Sequence, residues 1–158
     1  MISIKKSIRF GLHLSIIFFL CFISISLSSE EIKILVYNTH GLPAVFAGDD
    51  PKERFPLIGE KIKLYQLSLL QEDFAHHELL LKHLNGDSVA FRGNTSNKTF
   101  CPFCSGSGLT MISNLEKKWH LDINSEDFAS CSGWLGGLND CFASKGFQLA
   151  LIKTPSGK

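Results

Sequence analysis

Ile32-Lys33-Ile34-Leu35-Val36-Tyr37-Asn38-Thr39-His40-Gly41-Leu42-Pro43 is the stretch from which the rest of the chain is read. An aliphatic, β-branched run stops on an asparagine, with Gly41 and Pro43 close behind. That is the pattern of a buried strand delivering Asn38 to a turn at its C-terminal end. A second run, L-S-L-L-Q-E-D-F over residues 67–74, repeats the design and stops on Gln71 and Glu72. Laid side by side and parallel, the two strands bring the Asn38 amide and the Glu72 carboxylate out at one edge of a sheet. Open α/β sheets place their chemistry at that edge.

The segment between them, residues 49–64, reads as a helix. Asp50 suits the N-cap, Pro51 the first helical position and Glu53 the capping-box carboxylate. Pro56 has no N–H to donate, so the predicted helix either kinks there or begins there. Ile58, Ile62 and Tyr65 recur at near-helical spacing and face a sheet, while Glu60, Lys61 and Lys63 face water. Strand, helix and strand make a right-handed βαβ unit. A second helix is predicted over residues 75–84, with Leu80, Leu81 and Leu84 inward and Asn85-Gly86 ending it. His76, His77 and His83 lie on or beside it, without the third ligand a zinc site needs.

Beyond this helix, residues 88–91 read as a short strand and residues 92–108 as a loop rich in Gly, Asn and Pro. Asn94 and Asn97 both match the glycosylation acceptor pattern. Residues 109–113 and 118–121 read as two strands turning about Asn114, and residues 124–145 as a second long loop. The final strand, residues 147–153, places Phe147, Leu149 and Leu151 on one strongly apolar face. Thr154-Pro155-Ser156-Gly157 has turn composition, and a turn after a strand normally introduces a partner strand. The domain is therefore expected to continue past Lys158.

The chain has 158 residues and a formal net charge of +1. So balanced a charge gives no field that would draw nucleic acid or acidic lipid. Lys5, Lys6 and Arg9 precede an apolar run over residues 12–27, and Ser26, Ser28 and Ser29 follow it. This is the order of a secretory signal peptide over residues 1–29, leaving one domain over residues 30–158 with no transmembrane anchor after cleavage. A secreted or extracytoplasmic location follows. Outside the signal, Cys101, Cys104, Cys131 and Cys141 make an even count, read as two disulfides with three possible connectivities. The second pair lacks the spacing of a common zinc module, and Cys101-Pro102-Phe103-Cys104 lacks the strand-to-helix setting of a redox motif.

An amide oxygen and a carboxylate are hard ligands, which suit Mg²⁺, Mn²⁺ or Ca²⁺. Magnesium keeps several waters and often takes only one or two protein groups together with substrate phosphate oxygens, which describes Asn38 and Glu72. Y-N-T-H-G-L-P, the segment around Arg54, L-L-Q-E-D-F, S-G-L-T-M-I-S and D-C-F-A-S-K-G-F together resemble the N-terminal half of the endonuclease/exonuclease/phosphatase superfamily. The resemblance runs in order from about residue 34 onward and is nearest to the sphingomyelinase-type secreted phosphodiesterases. It implies half of a four-layer, DNase I-like α/β sandwich and metal-assisted hydrolysis of a phosphodiester.

Carried over by position, Asn38 contacts the metal or the phosphate and Glu72 is a direct metal ligand. The family's G-D-x-N and S-D-H segments, the latter carrying the general base, do not occur in these 158 residues, so no catalytic residue is identifiable here. His40, in the turn beyond Asn38, and Lys145, beside Gly146, are further candidates for substrate contact. Arg54 is placed to reach phosphate or to pair with Glu53 or Glu60. Phospholipid, sphingomyelin above all, is the favoured substrate, and nucleic acid the next. A non-catalytic secreted binding protein is the alternative of a different class.

Overall fold

The computed structural model of the protein describes residues 31–42, 44–95, 106–130 and 143–155. The expected signal peptide, Asn97 and the four cysteines expected to pair lie outside the described residues. Six strands and three helices make up the described part, in an α/β arrangement. Strand β1 (Ile34–Asn38) pairs in parallel with β2 (Leu67–Gln71), and β4 (Thr110–Ser113) lies antiparallel to both β2 and β3 (Val89–Arg92). The sheet order is β1-β2-β4-β3, and the sheet is mixed.

Register sets which side chains share a face. Leu35, Leu70, Ile112 and Ala90 point to one side, where α2 (Pro51–Ile62), which the short helix α1 (Ala44–Ala47) precedes in the chain, and α3 (His77–Leu81) pack. There Phe55, Ile58 and Ile62 of α2 and Leu80 of α3 pack on Leu70 and Ile112, with Leu35, Leu79, Leu81, Leu84 and Ala90 around them. On the other side, Ile34, Val36 and Val89 remain exposed. The two β-branched residues of β1 on that side therefore contribute strand propensity more than burial.

Helix α2 begins where its cap dictates. The Asp50 carboxylate accepts the Lys52 N–H at 2.9 Å, and Pro51 takes the first position. Pro56 lies inside the helix, so the helix neither waits for it nor ends at it. The bond forfeited is the one that residue 56 would otherwise donate to the Lys52 carbonyl, so the helix runs through Pro56 without it. Phe55, fully buried, anchors this helix, a role the Ile58–Ile62–Tyr65 spacing does not reveal; Tyr65 falls beyond its end. Helix α3 is half the predicted length, because Lys82 already caps it.

The expected strand pair about Asn114 is not formed. The side-chain amide of Asn114 donates to the carbonyls of Ile62 at 3.2 Å and Tyr65 at 2.8 Å, and its oxygen accepts the Ser88 hydroxyl at 2.5 Å. It ties the end of α2 to the sheet instead of turning a hairpin. Strand β5 (His120–Asp127) pairs with β6 (Gly146–Lys153) as a separate antiparallel ribbon, so residues 124–127 are strand where a loop was predicted. Asp122, Asn124 and Glu126 point to water from β5, which explains the loop-like reading. Facing the same way from β6, Phe147, Leu149 and Leu151 are 46%, 61% and 55% exposed. Among the described residues, no helix is long and apolar enough to cross a membrane. They include a helical layer on one sheet; the remaining layers of the expected sandwich are not among them.

Candidate functional site

The C-terminal ends of β1 and β2 meet as the sequence predicts: Asn38 is the register partner of Gln71, and Glu72 follows directly. The turns that leave these strands are joined through their backbones. Thr39 N–H donates to Gln71 O at 2.8 Å, Gly41 N–H to Glu72 O at 2.8 Å, and Ala75 N–H to Gly41 O at 3.1 Å. A Cβ on Gly41 would stand 2.4 Å from the Glu72 carbonyl oxygen, so the two turns approach this closely only because residue 41 is glycine.

Two non-glycine residues among those described have positive φ: His40 at 48° and Glu72 at 55°. Both lie in this pair of turns. Left-handed backbone is unfavourable for residues with a Cβ, and such strain persists only where surrounding contacts over-determine it. For His40 the contacts are local. The Asn38 amide oxygen accepts the His40 N–H at 2.8 Å, an Asx turn, and the Arg54 guanidinium donates to the carbonyls of Thr39 and His40, the latter at 3.0 Å. Arg54 also pairs with Asp49 at 2.5 Å. It neither pairs with Glu53 or Glu60 nor projects free toward a ligand; it braces the turn that carries Asn38 and His40. Through its hydrogen bond, Arg54 holds the Asp49 carboxyl below the usual carboxylate range.

The Glu72 side chain is half-buried, and no described residue hydrogen-bonds or ion-pairs with its carboxylate. Asn38 is exposed, and its amide oxygen keeps a lone pair beyond the one used by His40. An unpaired carboxylate and an amide oxygen at adjoining strand ends fit a hard divalent cation that keeps most of its waters. The described residues contain no group of three His, Cys, Asp or Glu able to hold a metal by themselves. Such an ion would therefore rely on Glu72, Asn38 and oxygens from water or substrate.

Lys145 immediately precedes β6 of the other sheet. Its carbonyl accepts the Phe128 N–H at 2.8 Å at the start of the ribbon, whose Gln148 side chain reaches the Phe91 carbonyl of β3 at 3.3 Å. The structure thus brings Asn38, His40 and Glu72 together and puts Lys145 beside the β5–β6 ribbon. Asn94 is half-buried, and its amide donates to the Asp127 carboxylate.

One group at the site escapes sequence reasoning. Asp73 is fully buried; its Oδ2 lies 2.5 Å from His77 Nδ1 and accepts the Thr110 hydroxyl at 2.7 Å, while its Oδ1 has no partner. Arg92 donates to the carbonyls of Asp73 and Phe74, both at 2.9 Å. The available signal was the i, i+4 spacing of Asp73 and His77 across the start of α3.

No protein-family model matches this sequence, and no curated protein does either. Solved structures do share its fold. One is beta toxin 275-280 from Staphylococcus aureus, with a TM-score of 0.57 and 19% identity over 81% of this chain and 47% of that one. Another is the β-hairpin deletion mutant of beta toxin from the same organism, with a TM-score of 0.50 and 16% identity over 80% of this chain and 51% of that one. The chain spans about half the length of these proteins. At such identities the likeness is one of fold: the described α/β domain has the architecture of part of a beta toxin.

Proposed function

We propose that this chain supplies the Asn38–Glu72 part of the metal site in a secreted, divalent-metal-dependent phosphodiesterase, with a phospholipid of the sphingomyelin type as substrate. The observation that carries this reading is the pair of left-handed residues, His40 and Glu72, at adjoining ends of parallel strands, in the turns that carry Asn38 and the Glu72 carboxylate. Strained backbone beside an unpaired carboxylate is costly to keep unless the carboxylate has a ligand to hold. The motif resemblance from residue 34 onward and the fold shared with the beta toxins support the same reading. The motif resemblance and the expected signal peptide favour an exported lipid hydrolase over a nuclease.

In this reading Glu72 holds the cation directly, and Asn38 either shares it or hydrogen-bonds the phosphate. His40, in the turn beyond Asn38, and Lys145, beside the ribbon, are the further candidates for contact with the phosphate. When bound, Mg²⁺, or Mn²⁺ or Ca²⁺ in its place, polarises a phosphoryl oxygen and stabilises the leaving oxygen. These residues bind and orient; none has the placement of a general base, so turnover by the 158 residues alone is not expected.

The test is Mn²⁺ binding by the full chain, read by loss of the free-ion signal in electron paramagnetic resonance. Wild type is expected to bind one ion and Glu72→Gly to lose most of the affinity. Equal binding by the two proteins, or none by wild type, would overturn the assignment.

A further inference from the structure

We infer that Asp73, bonded to His77 and Thr110, is a positioning residue that holds Glu72 in its left-handed backbone and so sets the divalent-cation affinity of the Asn38–Glu72 edge. The inference rests on the metal reading above.

A fully buried carboxylate is an expensive way to fill space, and a well-packed apolar residue of similar size would serve a core better. Both of its partners converge on one oxygen and leave the other unpartnered, so hydrogen-bond satisfaction does not explain it either. What distinguishes Asp73 is its place, one residue after Glu72. Apart from that unpartnered oxygen, its polar groups are fastened to different parts of the fold. Its N–H donates to Gly108 O at 2.9 Å, its carbonyl accepts Arg92 from β3, and its carboxylate bonds His77 from α3 and Thr110 from β4. Phe74, next along, is clamped as well: Arg92 takes its carbonyl, and its ring lies 2.3 Å from where a Cβ on Gly108 would stand.

Residues 73 and 74 therefore cannot rotate without breaking bonds to three elements. On the other side, β2 fixes residue 71 in the sheet. Glu72 must join these two fixed ends, and the joining conformation is the one at φ 55°. Its carbonyl then faces the Gly41 and Phe74 N–H groups, and it accepts both. If the Asp73 network loosens, Glu72 can relax toward ordinary backbone, and its carboxylate leaves the edge it shares with Asn38.

Thr110→Val removes one donor to Asp73 at constant shape. In the full chain, Mn²⁺ affinity is expected to fall about tenfold, and exchange of the Gly41 amide, which is bonded to the Glu72 carbonyl, to accelerate about as much. Thr110→Ser, which restores the hydroxyl, is expected to restore both. A purely structural role would lower the melting temperature and leave the Mn²⁺ affinity of the folded protein unchanged, and that result would overturn the inference. Should Thr110→Val not fold, Asp73→Asn reads the same two quantities with the same expected directions. Wild type that binds no Mn²⁺ would overturn the metal reading itself. Wild type that binds, beside a variant with unchanged Gly41 exchange, would overturn the positioning role alone.

Discussion

The turns at the ends of β1 and β2 and the β5–β6 ribbon are built in opposite ways. In the turn pair, backbone meets backbone at hydrogen-bond distance, two residues are held left-handed, and a carboxylate is buried with its partners. The ribbon is regular over eight register pairs, yet the face carrying Phe147, Leu149 and Leu151 lies open to solvent. Polar order with strain marks a place where particular atoms must be held. Regular pairing with exposed apolar side chains marks a surface that folding alone does not require to be covered by this chain. Function is therefore to be sought first at the turns.

The contrast predicts how unequally the two regions tolerate change. The largest effect is expected at Gly41→Ala, whose Cβ would meet the Glu72 carbonyl oxygen at 2.4 Å and the Phe55 ring at 3.0 Å. Overpacking of this kind costs about 2–3 kcal/mol, measurable by urea unfolding, and should weaken Mn²⁺ binding as well. Wild-type stability in that variant would mean that the turns are not interlocked as described.

An intermediate effect is expected in the brace around Asp49. Because its folded pKa is depressed by Arg54, the contribution of Asp49 is present in full above the unfolded value and is lost as pH falls through the folded value. Carboxyl titration by nuclear magnetic resonance should place the Asp49 midpoint below the ordinary value of about 3.9, and Arg54→Leu should return it there. The smallest effect is expected on the ribbon. Leu149→Lys should change stability by no more than about 0.5 kcal/mol while raising solubility, since Leu149 is 61% exposed. A large loss of stability there would show that the ribbon face is packed.

Much of this contrast was legible in the residues. Asn38 and Glu72 could be placed together because each closes a short apolar run, and Asp50–Pro51 marked one of the two possible starts of α2, the one the helix takes. The apolar stripe of β6 followed from simple alternation. What escaped was non-local. Thr110 reaches Asp73 across 37 positions, and neither residue signals the other in sequence. Strand β5 was cut short because Asp122, Asn124 and Glu126 are polar where they face water. Its partner was assigned to residues 109–113 and is β6 instead, because alternation gives a strand its faces and not its neighbour. Arg54 was legible as a charge near the site, but only the Asp49 contact and the two carbonyls show that it braces the turn.

The most direct test of the claim that strain at Glu72 is held for a ligand is equilibrium unfolding of wild type and Glu72→Gly in metal-free buffer, beside their Mn²⁺ titrations. Glycine relieves about 1–2 kcal/mol of left-handed strain and gives back part of this through unfolded-chain entropy, so the variant should be more stable by about 0.5–1 kcal/mol while losing the ion. A variant that is less stable than wild type without metal, or one that binds Mn²⁺ as wild type does, would contradict it.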